Sequence, residues 1–237
     1  MELDFKAYRR SSLLGAIGAA LMMVGDLSLS VIKASQSDSG LFMREAYLNG
    51  SYESWRLPLL LVTGLIGMAL CSFAVRASYV QIRPQYRKTR LVILISGIIY
   101  LTSAGVIHFM IGSLADWTST LAPLIGREEA AALVSSQYNR VMPPLYISYA
   151  GMILMILGSA WAVFAKKTIL PRKMFIFHML VWQIMLAGIP DIRQALGAEI
   201  STWDFVLSQS SGNASLMIWM IANAIWAQRH KAELEMK

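Results

Sequence analysis

The chain has 237 residues, of which 56% are hydrophobic and 15% charged, with a formal net charge of +7 and a mean hydropathy of +0.52. Soluble domains carry about 25% charged residues, so the composition excludes an ordinary soluble domain and predicts a polytopic membrane protein. Cys71 is the single cysteine, which excludes an intrachain disulfide and a cysteine-based metal cluster.

Sustained apolar runs predict six transmembrane helices in an all-α bundle. Runs of about 20 residues cross the roughly 30 Å of membrane hydrocarbon. We expect one transmembrane domain over residues 1–237, in which residues 33–56 and 115–142 form long outer loops. In chain order the predicted spans are residues 12–32, 57–77, 91–114, 143–165, 174–194 and 204–227.

The first apolar run is predicted to be a retained span. Positive charge precedes it, as in a secretory signal peptide, and residues 32–34 faintly resemble a cleavage site. The run is long for a signal peptide, however, and it contains Asp26 with Lys33 close to the cleavage point. We therefore prefer the transmembrane interpretation.

Several residues mark where the later helices begin or break. Pro143 and Pro144 open the fourth span, where proline is favourable in the first helical turn. Pro190 predicts a break near the end of the fifth span. In the second outer loop, Gly126 and the acidic residues after it predict a short amphipathic helix over residues 127–133.

The sixth segment begins with a polar stretch, residues 208–213, and is apolar only from residue 214. A polar stretch cannot face lipid at depth, because its polar groups would lack partners there. Two interpretations stay open. The stretch is an outer loop in which Asn213 caps a short last helix, or it lines a water-filled vestibule above a pocket.

The positive charge has a distribution that indicates membrane topology. Fifteen of the twenty-one basic residues fall on one side of the predicted spans, together with both termini. The positive-inside rule then predicts cytoplasmic termini in a multi-pass cell-membrane protein, in the inner membrane if the source is bacterial. We expect the lipid bilayer as the partner and no nucleic acid, since no surface that interleaves basic and aromatic residues is evident.

Four polar side chains at one depth are the strongest indication of function. Asp26, His108, Asp191 and Asn213 each fall in the outer third of a predicted span. A charge or an imidazole in hydrocarbon is costly unless it is paired or hydrated. The four residues therefore predict a shared polar pocket that opens outward.

Two of these residues lie on stripes of small and polar residues, which mark helix faces turned to other helices. His108 shares such a stripe with Ser96, Tyr100, Ala104 and Gly112. Asp26 shares one with Gly15, Gly18, Gly25 and Ser30. A structural interpretation stays open for both: His108 as a link between helices, and Asp26 as a hydrated group at the membrane surface.

The predicted chemistry assigns His108, Asp26 and Asp191 as catalytic residues. His108 is the acid/base or a metal ligand, and the two aspartates orient it or bind a divalent metal such as zinc beside it. Metal-free acid/base chemistry fits the residues equally well. The other residues predicted to line the pocket are Ser30, Tyr100, Gly112, Arg193, Gln209 and Asn213.

Three classes of function fit the sequence. The first is an enzyme acting on a lipid-like or amphipathic small molecule from the outer leaflet. The second is a small-molecule or proton-coupled transporter, because buried Asp and His residues also form proton relays. The third is a non-catalytic accessory, immunity or sensor protein whose long outer loops contact a partner. Nothing in the sequence indicates the oligomeric state.

Overall fold

A computed structural model describes residues 4–33, 35, 38, 44–199 and 201–235, with side chains up to residue 230. All regular secondary structure in these residues is helical, so the all-α class is confirmed. One 3-10 helix, Arg172–Phe177, precedes the seventh α-helix. The α-helices are α1 (Phe5–Ser30), α2 (Glu45–Leu48), α3 (Arg56–Val80), α4 (Arg87–Ile125), α5 (Arg127–Leu145), α6 (Ile147–Phe164), α7 (Met179–Ala195) and α8 (Thr202–Glu235).

Five helical segments in the described chain are long and apolar enough to cross a membrane. Their outer surfaces are apolar, as bilayer lipid requires: Leu65 of α3 is 74% exposed and Ile184 of α7 is 65% exposed. The arrangement is that of a helical membrane bundle. The five segments are Phe5–Ser30, Arg56–Val80, Arg87–Ile125, Ile147–Phe164 and Arg172–Ala195.

α8 is not among these five apolar segments, and several of its polar residues face the bundle. It packs against α1 and α7, and it buries Ser211, Asn213, Ser215 and Asn223. A helix shielded from lipid by its neighbours does not need an apolar sequence. Since α8 begins at Thr202, the polar stretch is not an outer loop and Asn213 is not a helix cap.

The second predicted outer loop is helical over most of its length. α4 has 39 residues, about 58 Å at 1.5 Å per residue, so it extends beyond the hydrocarbon. It ends at Gly126, whose φ of +94° favours glycine. The helix predicted after Gly126 is present but runs to Leu145, so Pro143 and Pro144 end α5 and do not open α6.

The predicted break at Pro190 is also wrong, because α7 continues through Pro190 to Ala195. Proline removes one backbone hydrogen bond but does not force a helix to end. Transmembrane helices tolerate proline where the freed carbonyl is satisfied locally. The residues after Pro190 therefore lie on a helix.

The connection between α1 and α3 caps the C-terminal end of α1. Arg44 is 1% exposed and donates to the carbonyl oxygens of Leu29 and Ser30, at 3.3 and 3.0 Å. Arg56 donates to the carbonyl of Ser28 at 2.8 Å, and the Tyr47 hydroxyl donates to that of Leu29 at 2.8 Å. The last carbonyls of a helix have no partner within it, so the two guanidinium groups satisfy the end of α1 and fix its position.

α1 and α3 approach one another at glycines. A Cβ atom on Gly18 would lie 2.6 Å from the backbone nitrogen of Cys71 and 2.7 Å from the carbonyl oxygen of Gly67. A Cβ on Gly67 would lie 2.9 Å from the carbonyl oxygen of Gly18. Small residues at such positions let two membrane helices come into backbone contact. This contact sets the depth at which α1 holds Asp26.

We predict that Gly18→Ala lowers the free energy of unfolding by about 1–3 kcal/mol, because the methyl group meets backbone atoms that must move apart. Thermal unfolding of the detergent-purified protein measures the change. Gly64→Ala is the matched control, since a Cβ on Gly64 meets no atom within 4 Å. The control gains helix propensity and keeps or raises stability. Equal melting temperatures for the two variants would contradict the close contact.

Candidate functional site

Asp26 lies on α1, one turn before the helix ends, and is only 6% exposed. The side-chain amide of Asn213 on α8 donates to Asp26 Oδ2 at 2.7 Å. A buried carboxyl group without a donor is strongly disfavoured, so this bond makes burial of Asp26 tolerable. It also joins α1 to α8 inside the bundle.

His108 approaches the same carboxyl group from α4. Its Nδ1 atom lies 3.6 Å from Asp26 Oδ1, and its side chain is 17% exposed. This distance is longer than a hydrogen bond, so a small side-chain rotation is needed for direct proton transfer. Asp26 therefore has one oxygen held by Asn213 and the other turned to the imidazole.

A cavity of about 190 Å³ lies beside this pair, enclosed by α1, α4, α6, α7 and α8. We call it the Asp26 cavity. One part of its wall is polar and the other is apolar. The polar lining residues are Asp26, Tyr100, His108, Ser148, Tyr149, Gln183, Ser208, Gln209, Ser211 and Asn213, and the others are Leu29, Ala104, Ile107, Ile111, Met152 and Gly212.

Gln183 of α7 is a lining residue that was not among the predicted pocket residues. Its amide nitrogen donates to Ser211 Oγ at 2.9 Å, and its amide oxygen accepts from Ser215 Oγ at 3.3 Å. The available signal was an amide within the apolar middle part of the fifth span. These bonds align the polar face of α8 with the cavity.

α6 and α7 form two walls of the Asp26 cavity, through Tyr149 and Met152 on α6 and Gln183 on α7. These elements are joined at one end, where Ser159 Oγ lies 3.0 Å from His178 Nε2. Toward the other end, Tyr149 lines the cavity and is 43% exposed, and Ile192 of α7 is 61% exposed. The wall of the Asp26 cavity is therefore partly exposed at Tyr149.

Asp191, a predicted catalytic residue, does not line the Asp26 cavity. It lines a neighbouring cavity of about 160 Å³ that also contains Glu199 and shares Ser208 with the first. Because α7 continues as a helix past Pro190, the Asp191 side chain lies away from Asp26 and His108. Asp191 therefore lies beside the Asp26 cavity, near Ser208, which lines both cavities.

Arg193, another predicted pocket residue, is paired elsewhere. Its Nη1 atom lies 3.1 Å from Asp204 Oδ1 and donates to Ser201 Oγ at 3.2 Å. These contacts tie the end of α7 to the start of α8. They leave no direct role for Arg193 in the Asp26 cavity.

Two further predicted lining residues contribute to packing. A Cβ on Gly112 would lie 2.4 Å from Leu60 Cδ2, so this glycine faces α3. The Ser30 hydroxyl donates to the carbonyl of Asp26 at 2.9 Å, within α1. Tyr100, Gln209 and Asn213, in contrast, line the Asp26 cavity.

The predicted metal set of His108, Asp26 and Asp191 is not assembled. Among the described residues, no group of three or more His, Cys, Asp or Glu side chains is placed to hold one metal ion. A catalytic zinc takes three protein ligands and one water, whereas the polar pair offers two. The arrangement fits proton exchange between a carboxyl group and an imidazole.

Comparison with known proteins gives one match. The model of a family described as a family of unknown function (DUF6796) matches residues 3–224. Neither a curated protein nor a solved structure matches the chain. The match covers nearly the whole chain, and the family description names no activity.

We predict that Asp26 and Asn213 are energetically coupled. Asn213→Ala leaves the buried carboxyl group without its donor, so the variant loses stability, whereas Asn213→Ala in an Asp26→Ala background costs less. The coupling energy is expected at about 1 kcal/mol, near the upper range for hydrogen bonds between membrane helices. Chemical unfolding of the four proteins in detergent measures it. The control cycle pairs Asp26 with Asn223, about 15 Å farther along α8, and is expected to be additive.

Proposed function

The chain belongs to this family, DUF6796, and we propose that it is an intramembrane enzyme that acts by proton transfer on a small amphipathic or lipid-like molecule. The observation that supports this most is the buried Asp26–His108 pair at the wall of a cavity that has both polar and apolar lining residues. His108 takes up and returns a proton at the substrate. Asp26 orients the imidazole and stabilises its charged form.

The proposed enzyme crosses the membrane six times, with α8 as the sixth span and both termini in the cytoplasm. The positive-inside rule supports this orientation, since fifteen of the twenty-one basic residues fall on the side of the termini. The end of α1 that carries Asp26 and the middle part of α4 that carries His108 then lie toward the outer leaflet. The protein is a multi-pass cell-membrane protein, in the inner membrane if the source is bacterial.

The shape and lining of the Asp26 cavity suggest how the substrate binds. About 190 Å³ is smaller than the roughly 300 Å³ at which pockets for drug-sized ligands begin. The cavity therefore holds the polar end of the substrate, close to Gln183 and Asn213. The apolar part leaves between α6 and α7, past Met152 and Tyr149, into the outer leaflet.

An enzyme is preferred to a transporter because of what lies below the cavity. A second polar cluster, in which Tyr8 donates to Asn223 Oδ1 at 2.9 Å, lies nearer the cytoplasmic end. Trp219 and Met220, both 0% exposed, lie between the two clusters on α8. A carrier requires access to its binding site from both sides of the membrane. Trp219 and Met220 separate the Asp26 cavity from the cytoplasmic cluster.

We predict that the cavity entrance is accessible from the outer side. Ser208→Cys should react with a small, membrane-impermeant thiol reagent applied outside intact cells, because Ser208 is exposed and lines the entrance. Ser215→Cys is the control; Ser215 is 1% exposed and lies two turns deeper on α8. Cys71, 3% exposed in the core, should remain unmodified. Labelling of the Ser208 variant only after permeabilisation would overturn the proposed orientation.

The proposed activity is tested by comparing the small molecules that copurify with variants. His108→Gln preserves size and polarity but cannot exchange a proton at neutral pH. It should retain a compound that differs in mass or in chromatographic retention from the one bound to the unaltered protein, as detected by native mass spectrometry and by chromatography of the released compound. His230→Gln is the matched control, because His230 bonds the carbonyl of Trp226 outside the cavity.

Two results would count against this enzyme. Identical copurifying compounds in all three proteins, with only the melting temperature of His108→Gln changed, would make the pair a structural link between helices. A stoichiometric metal in elemental analysis that is lost in His108→Gln would replace metal-free proton transfer with a metal-dependent reaction.

A further inference from the structure

A second large cavity lies at the opposite end of the bundle from Asp26. It has a volume of about 440 Å³ and is formed by the start of α1, the end of α3 and the start of α4. We call it the Arg76 cavity. Arg76, Arg90, Ser11, Tyr8 and Asp4 provide its polar lining. The proposed enzyme gives it no role, since it contains neither member of the Asp26–His108 pair.

The two arginines of this cavity have more hydrogen-bonding capacity than the protein uses. Arg76 Nη1 donates to Ser11 Oγ at 3.1 Å. The guanidinium of Arg90 stacks over the Tyr79 ring at 4.2 Å, and its Nε atom is buried without a hydrogen-bond partner. Within the described part of the chain, neither arginine forms an ion pair with a carboxylate. A buried, unpaired guanidinium N–H indicates a missing acceptor.

Asp4, which also lines the Arg76 cavity, does not supply that acceptor. Its Oδ1 atom accepts from the backbone nitrogen of Ala7 at 2.9 Å and so caps the start of α1. The lining of the Arg76 cavity therefore has a net positive charge, because it contains two arginines and one carboxylate. An anion with several oxygen atoms fits two guanidinium groups better than a single acceptor does.

The surroundings of the cavity favour a lipid over a dissolved anion. On α3, the helix face that carries Arg76 continues into the apolar part of the helix, where Leu65, three turns away, is 74% exposed. An acyl chain can lie along this apolar strip while its headgroup enters the cavity. Basic pockets between helices on the cytoplasmic side are favourable places for anionic headgroups.

We propose that the Arg76 cavity binds the phosphate group of an anionic phospholipid from the cytoplasmic leaflet. Arg76 and Arg90 contact the phosphate oxygens, and Ser11 orients Arg76. The glycerol and the first methylene groups lie against Ala7 and Val80. The site is independent of the reaction proposed for the Asp26 cavity.

The test is native mass spectrometry of the full-length protein from mixed micelles of phosphatidylglycerol and phosphatidylcholine. We expect preferential retention of phosphatidylglycerol. Arg76→Gln with Arg90→Gln should reduce that retention about thirty-fold, from the contribution of two basic groups near a membrane surface. The matched control, Arg9→Gln with Arg87→Gln, removes the same charge from exposed positions outside the cavity. Equal losses in the two double variants would overturn the site.

A second variant keeps the proposal testable if the double arginine variant does not fold. Ala7→Leu retains both arginines but narrows the cavity, so phosphatidylglycerol retention should fall while the charge is unchanged. Unaltered retention in a folded Ala7→Leu protein would contradict binding in this cavity.

Inorganic phosphate separates a lipid site from a site for a free anion. Phosphate added to lipid-free protein should leave the melting temperature unchanged and should not displace phosphatidylglycerol at millimolar concentration. If phosphate alone both stabilises the protein and displaces the lipid, the cavity binds a dissolved anion and the lipid assignment is wrong.

Discussion

The hydrogen bond between Asp26 and Asn213 is the interaction on which the arrangement of the bundle depends. Hydrocarbon offers no water, so every buried polar group needs a partner within the protein. This bond fixes which side of α8 faces α1 and how far α8 is inserted. With α8 in this position, Ser211 and Ser215 form hydrogen bonds with Gln183 of α7. The need to pair one buried carboxyl group therefore determines how α1, α7 and α8 pack.

Packing at small residues brings His108 close to Asp26. The glycine contacts between α1 and α3 fix the depth of Asp26, and Gly112 packs α4 against α3 near Leu60. The arginine caps on the outer end of α1 hold that end against displacement. The Asp26–His108 pair is thus positioned by a rigid three-helix unit, whereas the α6 and α7 walls are joined mainly at their far end. A rigid pair beside a loosely closed wall suits a site that admits a substrate sideways.

The sequence predicted the elements that follow from lipid contact and missed those that follow from shielding. Small-residue stripes place Asp26 and His108 inward, and the structure puts them 3.6 Å apart. For the polar stretch that contains Asn213, the sequence left a loop and a cavity-lining segment both open, because the neighbours that shield α8 are not visible in its own residues. Asp191 was misplaced for a related reason: whether a helix continues through Pro190 depends on tertiary contacts, not on local propensity.

The two cavities differ in the physical property that would select their ligands. The Asp26 cavity pairs an acid with a base, so it favours a small molecule that exchanges a proton and disfavours a permanently charged one. The Arg76 cavity has two guanidinium groups and one committed carboxylate, so it favours a fixed anion. Both cavities involve α1 and α4, one at each end. An anion between Arg76 and Arg90 would hold the end of α3 against the start of α4. The Asp26–His108 pair does not need this anion, because the glycine contacts among α1, α3 and α4 already hold it in place.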